Sequence, residues 1–255
     1  MLLPWSRTST LAICNHGVAL DAGVKKPQLL TDANFKWTEQ TQLNEILLKY
    51  QDSIKNHAIK VILSNFFVRY LVLPWQDSVF TEADWKAIAQ HEFRKQHGAL
   101  ANNWLVSVHL QEYGQAILAA AIDNKLYSQL HESAAQLKFD VVAVEPLLMT
   151  LLNQNLPNTW ALIAEPERLV LCQIKDGTWQ QVFVDSPPAG HEYQHAERLI
   201  QRSFLPIDGI VQHGKVATYV SAALLRGWQD SIDGQQRIIT KTSSLQPHAV
   251  WMASI

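Results

Sequence analysis

The stretch from Val61 to Trp75, VILSNFFVRYLVLPW, constrains the fold more than any other part of the chain. Its apolar, β-branched and aromatic residues read as two short strands broken at Ser64-Asn65, a turn-prone pair. Pro74 closes the second strand, because proline has no N–H to give to a sheet ladder. Upstream, Ser9 to Leu20 reads as a hairpin around Asn15-His16-Gly17, and Thr38 to Asn56 as a helix capped by Thr38. Downstream, Thr81-Glu82-Ala83-Asp84 opens a helix with capping-box spacing, and His97-Gly98 stops it. Strands over Trp104–His109 and Gln115–Ile122 follow. Asn124 to Leu137 then places Leu126, Leu130, Ala134 and Leu137 on one face of a helix. A strand from Asp140 to Val144 ends at Glu145-Pro146, and a helix begins at Leu147.

Leu156-Pro157-Asn158 reads as a boundary, because a second cycle of elements starts there. Strands over Trp160–Ala164, Leu169–Ile174 and Thr178–Val184 are joined at Glu165-Pro166-Glu167-Arg168 and at the turn Lys175-Asp176-Gly177. The pattern predicts helices at His191–Phe204 and Val216–Trp228. It predicts further strands at Ile207–Gln212, Gln236–Thr240 and Ala249–Met252. Each half reads strands, helix, strand, helix, which predicts an α/β protein with mixed sheets and two lobes, residues 1–156 and 157–255.

Composition excludes several function classes. With 255 residues, 47% of them apolar, the chain buries a sizeable core and is not a disordered segment. Its net charge of −2 comes from 21 Lys and Arg against 23 Asp and Glu, without a basic run, so no nucleic-acid footprint is expected. The nine Trp are scattered, as packing residues are, rather than grouped as a stacking platform. The first residues lack the ordering of a signal peptide, and no window holds the ~18 consecutive apolar residues of a membrane-spanning helix. Cys14 and Cys172 lie in apolar strand-like runs and read as buried, reduced thiols. A cytoplasmic protein is the expectation.

One string matches a catalytic motif literally. His191-Glu192-Tyr193-Gln194-His195 is H-E-x-x-H, which on a helix puts two imidazoles at i and i+4 to bind zinc beside a glutamate base. Its setting opposes a zinc peptidase: the string sits at the first turn of a helix, directly after Pro-Pro-Ala-Gly. No distant third ligand is evident, since Glu197 is too close. A polar, solvated helix start is the preferred reading, and metal ligation by His191 and His195 is the lesser one. Neither a phosphate-binding GxxxxGK[ST] nor a GxSxG nucleophile string occurs.

The run VILSNFFVRYLVLPW, the helix after it, and then LVSVHLQEYGQAILAAAIDNKLYSQL and FDVVAVEPLLMTLLN together resemble actin-like (RNase H-like) proteins of bacterial pilus and secretion assembly. These are the families of PilM in type IV pili and of the cytoplasmic part of GspL in type II secretion. The resemblance covers roughly residues 55–155 well, and the rest by order of elements. It implies two RNase H-like lobes with mixed sheets around a cleft that binds ATP and magnesium. The family's phosphate loops use Asp-x-Gly, in which glycine admits backbone amides to phosphate and aspartate handles the metal. Here the first loop falls at Asn15-His16-Gly17, keeping the glycine and losing the carboxylate. The second falls at Ala164-Glu165-Pro166, where proline removes an amide donor. The adenosine-side Gly-Gly resembles Gln212-His213-Gly214.

Degenerate nucleotide positions at Asn15, Gly17, Glu165 and Gly214 imply a pseudo-ATPase, with ATP binding by altered motifs as the alternative. The resemblance then implies a scaffold at the inner face of the inner membrane. Its partner would be the cytoplasmic tail of a bitopic membrane protein, with an assembly ATPase as a second partner.

Overall fold

The computed structural model describes residues 8–22, 27–32, 34–152, 159–203, 216–221, 224 and 239–244. In chain order the elements begin with β1 (Thr8–Cys14), β2 (Gly17–Asp21), β3 (Gln28–Leu29), α1 (Leu43–Leu48), α2 (Gln51–Ile54), β4 (Ala58–Leu63) and β5 (Val68–Leu73). Next are α3 (Glu82–His97), a 3-10 turn at Gly98–Asn103, β6 (Trp104–His109), β7 (Ile117–Asp123), α4 (Asn124–Leu137), β8 (Asp140–Pro146) and α5 (Leu147–Leu152). The last are β9 (Thr159–Glu165), β10 (Arg168–Lys175), β11 (Thr178–Asp185), α6 (Glu192–Ser203), β12 (Val216–Val220) and β13 (Ile239–Ser244).

The described residues group into two compact units. Unit 1 takes those within 1–67 and 124–151, and unit 2 those within 68–123 and 152–244. The expected boundary after residue 156 lies close to the crossing at 151/152, but the chain also crosses at 67/68 and 123/124. The cause is an insertion. Residues 68–123 form their own three-stranded antiparallel sheet, ordered β5-β7-β6, and group with the second half of the chain.

Two five-stranded sheets share one topology. In unit 1 the order is β3-β2-β1-β4-β8, with β1, β2 and β3 antiparallel and β1, β4 and β8 parallel. In unit 2 the order is β11-β10-β9-β12-β13, with the same senses at corresponding positions. The predicted repetition of strands and helices is therefore a duplicated mixed sheet.

The strands of the Val61–Trp75 stretch enter different sheets. β4 pairs with β1 and β8, whereas β5 pairs with β7. Ser64 and Asn65 of the link between them are buried and held in place. Ser64 Oγ accepts from the Phe66 N–H at 3.0 Å, and Asn65 Oδ1 accepts from the Leu148 N–H at 3.2 Å, at the start of α5.

Hydrophobic pattern explains the layers. β1 is a continuous apolar run, Leu11 to Cys14, because as an inner strand it is covered on both faces. α1 and α4 pack in unit 1 through buried Leu43, Leu47, Leu126 and Leu130. In unit 2, α3 buries Trp85, Ala89 and Phe93, spaced four apart, against Leu73, Ile117 and Ala119 of the inserted sheet. α6 sets Ala196 and Ile200 on Leu162 and Leu171.

Local signals held where the chemistry was specific. Thr81 Oγ1 accepts from the Asp84 N–H at 3.1 Å, so α3 is capped as its sequence predicts. Asp176 and Gly177 both take positive φ, 51° and 75°, the primed turn that Asp-Gly favours between β10 and β11. Thr38 does not cap a helix. Its N–H donates to Thr41 Oγ1 at 2.8 Å, and the helical residues that follow divide into α1 and α2. Val216–Val220 is a strand rather than the start of a helix. Its alternating V-A-T-Y-V pairs parallel to β9, and that central position overrides the helical reading. The strands expected at 207–212 and 249–252 lie outside the described residues.

Both cysteines are free and buried, Cys14 in β1 and Cys172 in β10. Burial pushes the Cys172 thiol up to about 12, which keeps it protonated. Titration with an aromatic disulfide reagent at pH 8 should therefore find neither thiol reactive in the native protein and both reactive in denaturant. A fast-reacting native thiol would contradict this burial.

Candidate functional site

The first expected phosphate position is the turn between β1 and β2. Asn15 and His16 are its two residues, and Cys14 faces Gly17 across the hairpin. Asn15 is buried, and its carbonyl accepts from the Trp37 N–H at 2.7 Å. Gly17 opens β2 without a positive φ, so no left-handed conformation requires glycine there.

The second expected position is the turn between β9 and β10. Glu165 and Arg168 are cross-strand partners there and both are buried. Pro166 and Glu167 form the turn, with Glu167 at φ 60°, as the third position of a type II turn requires. The Glu167 N–H donates to Glu192 Oε1 at 3.1 Å. Taken as phosphate-loop positions, these residues offer an amide in place of a metal carboxylate, a proline without an N–H, and an N–H already given to a side chain. They do not fit a magnesium nucleotide. Asn15 and Gly17 belong to unit 1 and Glu165 to unit 2, while Gly214 and His213 lie outside the described residues.

The H-E-x-x-H string has structural work. α6 begins at Glu192, so His191 precedes the helix and only its carbonyl joins it, accepting from the His195 N–H at 3.1 Å. His195 Nδ1 lies 2.8 Å from Asp185 Oδ2 at the end of β11. Glu192, the base of a zinc reading, is buried and anchors the Glu167 turn. Among the described residues no group of three or more His, Cys, Asp or Glu could hold a metal ion. Replacing Glu192 with alanine removes the acceptor of the part-buried Glu167 N–H and should cost about 1–2 kcal/mol. Glu192→Gln keeps an acceptor oxygen and should retain most of that stability. Chemical denaturation of the two variants checks this, and equal losses would contradict the anchoring role.

Unit 2 also holds a cavity of about 580 Å³ that the sequence did not signal. Residues 69–72 of β5 and 180–184 of β11 line it, with Gln96 and His97 at the end of α3 and with Arg168. Both strands are the outer strands of their sheets, as described. Side chains alternate faces along a strand, so a cavity touching consecutive residues faces the strand's edge. Backbone edges from two sheets thus meet one space.

Its polar groups are ordered and basic. Arg168 Nη1 donates to Ser186 Oγ at 2.7 Å, and Nη2 to the Val68 carbonyl at 3.0 Å. Burial first, and the Arg69 charge second, lower Arg168 to about 10, against the opposing pull of Glu165. Arg69 sits 6.0 Å from the Trp104 ring centroid and donates to the Val68 carbonyl at 3.2 Å. Burial and the Arg69 charge hold His97 below its usual range. Tyr70, buried beside Glu165, is pushed well above the ordinary phenol range, chiefly by burial. The cavity escaped the sequence because β5 and β11 stand far apart in the chain. Only the β5 insertion brings their edges into one unit.

No protein-family model matches the chain, and no curated protein matches it in sequence. Solved structures do match. A Bacteroides thetaiotaomicron protein with an actin-like ATPase fold and unknown function aligns over 91% of this chain and 88% of its own, at TM-score 0.57 and 11% identity. The cytoplasmic domain of EpsL, an inner-membrane component of the Vibrio cholerae type II secretion system, aligns over 94% and 86%, at 0.54 and 9%. A chain of the PilM–PilN type IV pilus biogenesis complex aligns over 92% and 87%, at 0.54 and 13%. With its duplicated mixed sheets, the chain has the actin-like ATPase fold.

Proposed function

We propose that the chain is a non-catalytic actin-like scaffold of a type IV pilus or type II secretion platform at the inner face of the inner membrane. In this reading it holds the cytoplasmic tail of a bitopic membrane protein, and an assembly ATPase is a second partner. The observation that carries the reading is the likeness in fold to the cytoplasmic domain of EpsL and to the PilM–PilN complex, across nearly the whole chain. Two features support it. The residues at Asn15 and Pro166 do not suit a magnesium nucleotide, and no helix among the described residues is long and apolar enough to cross a membrane.

Thermal unfolding with Mg-ATP, Mg-ADP and EDTA tests the non-catalytic part. A ligand at ~100 times its Kd adds about 2.7 kcal/mol, which shifts a melting midpoint visibly. The scaffold reading expects no shift with either nucleotide and none with EDTA. A saturable, magnesium-dependent rise would replace it with a nucleotide-binding protein of altered motifs. A fall with EDTA alone would revive a metal at His191 and His195.

A further inference from the structure

We infer that β6 is an open sheet edge through which two copies of the chain pair, strand against antiparallel strand about a twofold axis at Ser107, so that their inserted sheets join into one. This goes beyond the scaffold reading and does not rest on it.

Three observations carry the inference. First, β6 is the outer strand that the described residues leave unprotected. It stands at the outside of the order β5-β7-β6 and pairs with β7 in unbroken register from Trp104 to His109. From Trp104 to Leu110 the chain has no Asp, Glu, Lys, Arg or Pro, the residues with which sheets blunt their edges. The other outer strands are each blunted or met. β3 has only two residues, and β8 and β13 are bulged at Val142 and Thr240. β5 and β11 close on each other.

Second, apolar surface gathers along this edge. Leu100 just ahead of β6, Leu105 within it and Leu110 directly after it are all exposed. Side chains alternate faces along a strand. Trp104, Val106 and Val108 therefore turn to the layer under α3, while Leu105, Ser107 and His109 are exposed on the other face. Exposed leucines beside an unpaired edge mark an association surface.

Third, the strand is complementary to itself. Reversed about Ser107, Leu105 faces His109 of the second copy, Val106 faces Val108, and Trp104 faces Leu110. Each pair falls on a single face of the joined sheet, as direct cross-strand neighbours must. No like charges meet, because the two His109 stand at opposite ends, and small Ser107 takes the axis, where identical side chains approach each other. Such a contact uses one patch on both copies and closes at two. A foreign strand would have to match this alternation, whereas the second copy already carries it.

The test uses the full chain. Sedimentation velocity over ~5 to ~500 μM protein should show monomer giving way to dimer as concentration rises. Ser107→Lys sets two ammonium groups across the axis and should weaken the dimer about tenfold or more. Ser107 is exposed, so the melting midpoint of dilute protein should hardly change. Ser107→Cys gives a second readout that needs no loss of binding. Opposed residues of an antiparallel pair lie about 4.5–5.5 Å apart between Cα atoms, within disulfide reach. Mild oxidation should therefore yield a linked dimer on a non-reducing gel, and the native Cys14 and Cys172, both buried, do not compete. Gln136→Cys, exposed on α4, controls for random collision and should stay largely unlinked. A wild-type protein that remains monomeric throughout overturns the inference and leaves the edge to a strand of another protein. A dimer that Ser107→Lys leaves intact, or equal linkage at the two introduced cysteines, overturns it as well.

Discussion

Replacing Arg168 with alanine is expected to destabilise unit 2 by about 3–5 kcal/mol, the loss that follows when one member of a buried charged cluster is removed. Only 6% of Arg168 is exposed, so its groups have little access to water. Its guanidinium donates to Ser186 Oγ and the Val68 carbonyl, and its charge acts on the buried Glu165 and Tyr70. Alanine would remove the buried cation beside the Glu165 carboxylate together with both of these hydrogen bonds. Lysine would restore the charge but not the forked geometry that reaches both acceptors, so Arg168→Lys should recover only part of the loss. Urea denaturation compares the midpoints. A loss under about 1 kcal/mol for Arg168→Ala would show that the cluster does not hold β5 to the β10 side of unit 2.

Phe93→Ala should cost a similar ~3–5 kcal/mol, by a different mechanism. Phe93 is fully buried at the centre of the layer between α3 and the inserted sheet, and its ring meets Trp104 edge-on at 5.9 Å. Truncation removes an aromatic ring and leaves a cavity that α3, capped at Thr81 and closed at Gly98, cannot collapse to fill. The consequence extends to the cavity, because Trp104 carries Arg69 on its face and His97 lies 4.9 Å from the same ring. Phe93→Leu, which retains most of the volume, should cost far less. Equal losses for the two variants would contradict a packing origin.

The sequence was most legible where one residue type meets one backbone demand. Asp176-Gly177, Thr81 with Asp84, and Gly98 each fixed an element end that the structure reproduces. Apolar periodicity located α4 and the run β9 to β11 for the same reason: local pattern and tertiary burial agree there. It failed at Val216–Val220, where short apolar alternation fits either period and only the neighbouring β9 decides. Legibility also ended at the Ser64-Asn65 link, because a turn pair announces a change of direction and not which sheet the next strand joins. Of the candidate residues, Glu192 shows the limit most clearly. Its string read as a solvated helix start, with a zinc-site base as the lesser reading, whereas its carboxylate is buried and holds the turn at Glu167. The β5–β11 cavity left no local signature, since edges create it and edges are a property of topology.

The measurement that tests the scaffold most directly is equilibrium binding of the full chain to the cytoplasmic tails of the bitopic inner-membrane proteins encoded in the source genome, each immobilised as a peptide. The account predicts saturable binding by at least one tail, unchanged by Mg-ATP. Binding by none of the tails would contradict it.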